Sequence, residues 1–313
     1  MRPYSPRPGG VVLGLLMFVA GALGTWASWR WFVDTAVGQR IDQVAFRGSG
    51  IGRSTLWSGA ERVLDVVSVP FVVVVLGTVA LIALLRRRWL LALQVIVLVG
   101  GANLTTQVLK HAVLDRPRLA DDTGPLGNSL PSGHTTVAAS VAAALLLVVP
   151  RRTRPAVAIV GAGYTAVTGV STMVGGWHRP SDVVAAVTVV LAWAGLTTML
   201  TALSSPERMP SPPIGNAPTA VVTGLFLAAA GVAGAMAASA LLRTRDVLNT
   251  AGSVTERPDL ATAYVGAALG VVAVTALSFA AILVAHQVAS RPLQAARQAS
   301  ARSVSTRVSD AVS

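Results

Sequence analysis

The chain has 313 residues, 53% of them hydrophobic and only 12% charged, with a mean hydropathy of +0.65, which excludes a soluble globular domain of ordinary composition. Its net charge of +12 raises nucleic acid as a partner, but the arginines sit in short runs beside apolar stretches and form no aromatic-interleaved basic face, so none is expected. The absence of cysteine excludes disulfides, thiolate metal sites and thiol nucleophiles.

A spanning helix needs about 20 apolar residues, and such runs appear near 10–31, 63–85, 89–110, 131–150, 155–176, 181–203, 218–242 and 261–288. The predicted fold class is therefore all-α, a polytopic membrane helix bundle. The first run lacks a small-x-small cleavage site and ends in Trp26, Trp29 and Trp31, which reads as an interfacial anchor on a retained span. The segment 32–62, with Arg40, Asp42, Arg47, Arg53 and Glu61 among apolar residues, fits either a plain solvated loop or a segment that lies on the membrane and roofs the polar residues described below.

Orientation follows from the short loops. Arg86, Arg87 and Arg88, then Arg151, Arg152 and Arg154, then Arg291, Arg297, Arg302 and Arg307 all fall on one side if both termini are cytoplasmic. The proline-dense stretch 204–218 has linker composition. It divides a six-span core, 1–203, from two additional spans within 219–290, followed by a basic cytoplasmic tail, 291–313, expected to be disordered or to lie on the membrane surface. The added spans are rich in small residues, including Ala228, Gly231 and Gly234, which suits close helix packing and a homodimer through them.

Polar side chains are costly near a bilayer, and three polar clusters gather on the extracytoplasmic side of this topology. The single lysine of the chain, Lys110, precedes Arg116-Pro117, offering a phosphate a point charge and a bidentate fork. Ser132, Gly133 and His134 follow Pro131 at a predicted helix start, where free N–H groups suit an anion and His134 can act as a general acid. His178 and Asp182 are four apart, so the carboxylate can take one ring nitrogen and leave the other as a nucleophile. Each cluster alone also fits an ordinary role, as a cationic flank, a helix cap or a helix start. Their gathering on one side is what points to a site.

These residues resemble the type 2 phosphatidic acid phosphatase superfamily, whose pattern is K-x6-R-P, then P-S-G-H, then S-R-x5-H-x3-D. The chain is read as Lys110 to Arg116-Pro117, then Pro131-Ser132-Gly133-His134, then Ser171-Thr172 to His178 and Asp182. The resemblance implies that His178 attacks phosphorus, that Asp182 orients it and that His134 protonates the leaving group. It further implies that Lys110, Arg116, Ser132 and the Gly133 N–H hold phosphate oxygens, with no metal and no cofactor. Thr172 stands where the family has a phosphate-binding arginine, keeping a hydroxyl but losing the charge. Arg179 and Arg118 are the candidates to replace it.

The partners expected are the bilayer and a lipid phosphate: polyprenyl diphosphate, phosphatidate or phosphatidylglycerol phosphate, the first favoured by analogy with bacterial relatives. The high arginine content against one lysine suggests a GC-rich, bacterial genome. The rival readings are a weakened member that only binds lipid phosphate, a lipid phosphotransferase, and a transporter built around Asn103 and Gln107. The transporter lacks a visible internal repeat.

Overall fold

The computed structural model describes residues 8–66, 77, 81, 89–120, 127–204 and 217–289, and among them there is helix and no strand. The helices are α1 (Pro8–Phe32), α2 (Ala36–Gly48), α3 (Arg53–Val66), α4 (Trp89–Val108), α5 (Gly133–Val148), α6 (Arg154–Val174), α7 (Pro180–Ser204), α8 (Ala217–Ala251) and α9 (Arg257–Ala289). Six helical stretches among the described residues are long and apolar enough to cross a membrane, so the chain is a multi-pass membrane protein; α5 is equally apolar but shorter. At 1.5 Å per residue α5 extends for only about 24 Å, less than the hydrocarbon thickness. The run at 63–85 lies mostly outside the described residues, as do most of the linker and the tail.

Helix α7 is the spine, packed by α1, α4, α5 and α9. Its Val183, Ala185, Ala186, Val187, Val190 and Ala194 are buried because small and β-branched side chains let neighbouring backbones approach. Helix α1 meets it along Gly10, Gly14, Met17, Gly21, Thr25 and Ser28, a stripe of one face at three- and four-residue spacing. Thr25 and Thr188 share a hydrogen bond of 2.9 Å across this contact. A Cβ on Gly14 would lie 2.6 Å from the Gly195 carbonyl oxygen. The apolar core is completed by Leu98 and Val99 of α4, Leu146 of α5, and Phe279, Ile282 and Leu283 of α9, so the last helix is built into the same core as α1, α4, α5, α6 and α7.

Segment 32–62 is helical with a buried face. Helix α2, capped by Thr35, buries Gln39, Asp42, Gln43, Val44 and Ala45 and packs on the start of α9, where a Cβ on Gly48 would overlap the Leu260 carbonyl. Between the two alternatives for this segment, a roof is what the chain forms. The end of α4, the starts of α5 and α7 and the end of α6 all come together beneath it.

Replacing Gly195 with leucine is predicted to cost about 1–3 kcal/mol by overpacking the α1–α7 contact. This should appear as a thermal midpoint several degrees below wild type in detergent. Gly163→Leu, where nothing lies within 4 Å of the added Cβ, should unfold close to wild type.

Candidate active site

The site is assembled from helix ends. Helix α7 starts at Pro180, a residue tolerated in a first turn because its missing N–H would have had no helical partner. The Asp182 carboxylate reaches back to the Arg179 N–H, its Oδ2 accepting at 2.8 Å in the manner of a capping box. The same oxygen accepts the Ser129 hydroxyl at 2.6 Å and lies 3.2 Å from Nδ1 of His178. A carboxylate can only accept, so Nδ1 carries the proton and Nε2 is left with its lone pair. His178 is held from behind as well, its N–H donating to the Thr172 carbonyl at 3.3 Å.

Ser132 begins α5. Its N–H donates to the Asp182 carbonyl at 2.9 Å, which ties the second motif to the third through the backbone. Its hydroxyl oxygen accepts from the Thr135 N–H at 3.4 Å and the Thr135 hydroxyl at 3.1 Å, so it caps the helix and keeps its own proton for a ligand. The volume a Cβ would fill on Gly133 is open, its nearest neighbour being Gln107 Nε2 at 4.0 Å. An anion can therefore approach the backbone N–H groups at this helix start closely. His134 comes one residue later and is near enough to His178 and Lys110 to interact with both electrostatically.

Lys110 lies half-buried in the π-helical turn Leu109–Val113 that ends α4, within electrostatic reach of Asp182. Asn128 fastens this turn by donating to the Lys110 and Leu114 carbonyls at 3.0 and 2.6 Å. Five residues, 111–115, separate Lys110 from Arg116, one fewer than the pattern's six. The first motif is therefore a near match and not a full one, which corrects the reading above. Arg116 has a side chain only 4% exposed, and its Nε and Nη1 are buried without a hydrogen-bond partner among the described residues. Two buried, unpaired donors on a permanent cation are costly unless an anion is to meet them.

Arg179 is completely buried, its Nε donating to Gln43 Oε1 at 3.1 Å and its guanidinium 5.6 Å from the Phe46 ring centre. It interacts electrostatically with Arg116, Asp182 and Asp42 and so belongs to the cluster. Thr172 is buried but spends its hydroxyl on the Gly169 carbonyl at 2.7 Å. Arg118 is exposed, and no hydrogen bond or ion pair joins it to the cluster among the described residues.

Asp42 was not singled out by the motifs, and it is at the centre. Only 2% exposed, it lies 3.5 Å from Arg116 Nη2 and accepts the Ser181 N–H at 3.1 Å and the Ser181 hydroxyl at 2.6 Å. One carboxylate on the roof helix thereby joins the first motif to the third. Burial pushes its pKa up to about 6, with the Asp182 charge adding to the rise, while Arg116 and the Ser181 hydrogen bonds oppose it. Lys110, Arg116 and Arg179 against Asp42 and Asp182 leave an excess of one positive charge, suited to an anion.

A family model, that of the PAP2 superfamily, matches residues 91–205. No curated protein and no solved structure matches the chain.

Asp42 yields a signed prediction. A carboxyl whose pKa is raised on folding binds its proton more tightly in the folded state. Its stabilising contribution is complete below the ordinary value of 3.8 and is lost as pH rises through about 6. Asp42→Asn carries no such dependence. Across pH 4 to 7 the wild-type thermal midpoint should fall relative to that of the Asn variant; parallel midpoints would contradict the assignment.

Proposed function

We propose, from the premise that the chain belongs through residues 91–205 to the PAP2 superfamily, whose members are generally phosphatases, that it hydrolyses a lipid phosphate through a phosphohistidine on His178. The observation that carries the reading is the hydrogen bond between Nδ1 of His178 and the buried Asp182, which leaves Nε2 free to attack with His134 close by.

In the first step Nε2 forms a bond to phosphorus, the bond from phosphorus to the leaving oxygen breaks, and His134 gives that oxygen its proton. The positive charge gathering on His178 is stabilised by Asp182. In the second step His134, now neutral, takes a proton from water as its oxygen bonds to phosphorus and the P–Nε2 bond breaks. The non-bridging oxygens meet Arg116 through its unpaired donors, Lys110, the Ser132 hydroxyl and the Gly133 N–H, donors set in place before charge develops. Arg179 supplies the cation that Thr172 lacks. These cations carry the charge in this mechanism.

The arginine pattern supports both termini in the cytoplasm and the site on the extracytoplasmic face of the cell membrane. A site at that interface suits a substrate whose tail stays in the hydrocarbon: polyprenyl diphosphate, phosphatidate or phosphatidylglycerol phosphate.

The test is phosphate release from these lipids by detergent-purified protein in EDTA. His178→Ala should lose a factor of about 10³ or more, and Arg179→Ala about 10 to 10³ in kcat/KM, as for removal of one transition-state donor. Arg118→Ala should match wild type. Loss of release on chelation, or full activity in His178→Ala, would overturn the reading.

A further inference from the structure

His134 has a neighbour that the chemistry above does not use. Its ring centre lies 5.3 Å from that of Trp177, tilted by 37°, and Trp177 in turn meets Trp57 of α3 edge-on at 5.8 Å and 76°. Trp177 is 43% exposed although it directly precedes the buried His178. An indole left in the open at the mouth of a polar site, on a membrane protein, is a surface for something partly apolar.

The wall is also held in shape. Arg53 of α3 donates through Nε to the Val174 carbonyl at 2.8 Å, and its guanidinium covers Gly176. Gly176 has φ of +71°, and a Cβ there would overlap Arg53, while a Cβ on Gly175 would come within 2.9 Å of the Trp57 ring. The two glycines thus let α3 close on the loop leading to His178 and set Trp57 against Trp177, which lies beside His134. Trp57 and Arg53 lie outside the matched residues 91–205.

In-line displacement fixes where the leaving group goes. The attacking Nε2 and the leaving oxygen sit on opposite sides of phosphorus, and His134 must reach the leaving oxygen to protonate it. Whatever that oxygen carries therefore departs on the His134 side, where the exposed surface is the Trp177 indole. We propose that Trp177, backed by Trp57, is the specificity-determining contact for the lipid-bearing leaving group, selecting long-chain lipid phosphates over short water-soluble esters. The proposal rests on the phosphatase reading and deepens it.

The experiment compares kcat and KM of purified wild type, Trp177→Ala, Trp177→Phe and Trp57→Ala on dioleoyl phosphatidate in mixed micelles and on glycerol 3-phosphate, a short ester with no apolar leaving group. Two or three methylenes leaving an indole correspond to roughly tenfold or more. Trp177→Ala should lose that factor in kcat/KM on phosphatidate, mostly through KM. It should stay within about twofold on the short ester, whose turnover also shows that the variant is folded. Trp177→Phe should recover most of the loss, and Trp57→Ala should fall between. Equal losses on both substrates would mean that the indole only braces His134, and unchanged phosphatidate kinetics would mean that it touches no substrate; either overturns the proposal. Failure of wild type on both substrates would instead remove the phosphatase reading itself.

Discussion

The carboxylate of Asp182 is where the second and third motifs become one site. A single oxygen takes the Ser129 hydroxyl, the Arg179 N–H and Nδ1 of His178, while the carbonyl of the same residue takes the Ser132 N–H. A buried anion with one donor would be expensive; with three it is a fixed point that sets the imidazole's tautomer, the start of α7 and the start of α5 together. Because α7 is also the helix on which α1, α4, α5 and α9 pack, the site inherits the rigidity of the core. The α1–α7 glycine contact and the Thr25–Thr188 bond sustain the chemistry without touching it.

A second carboxylate works from the opposite side. Asp42 binds Arg116 and Ser181, and its neighbour Gln43 takes Arg179, so helix α2 positions both guanidinium groups of the cluster. Arginine needs a planar, directed partner to keep its fork aimed. The roof provides one for each: a carboxylate for the arginine that keeps unpaired donors, and an amide for the one filling in for Thr172.

What could be read in the sequence follows a physical boundary. Apolar length revealed the spans, because a helix in lipid must satisfy its own backbone and cover it with apolar side chains. The pairing of His178 with Asp182 was legible because four residues bring a side chain just ahead of a helix start within reach of one in its first turn, and the Ser132 start because caps have a local signature. Asp42 was not legible: its partner Arg116 is 74 positions away, and nothing local distinguishes it from other charges of segment 32–62. The roof itself stayed undecided between loop and helix for the same reason, since its buried face is defined by α9 and by the cluster below. The Lys110–Arg116 interval shows the converse error, a spacing taken as the family's when it is one residue short, in a stretch where the chain forms a π-helical turn.

The account stands on one bond, that between phosphorus and Nε2 of His178. It is tested most directly by rapidly quenching the detergent-purified protein during turnover of a radiolabelled lipid phosphate and mapping the label by mass spectrometry. An acid-labile, base-stable phosphoryl group on His178 is the predicted result. Label on any other residue, or steady turnover with no phosphoprotein at any quench time, would contradict it.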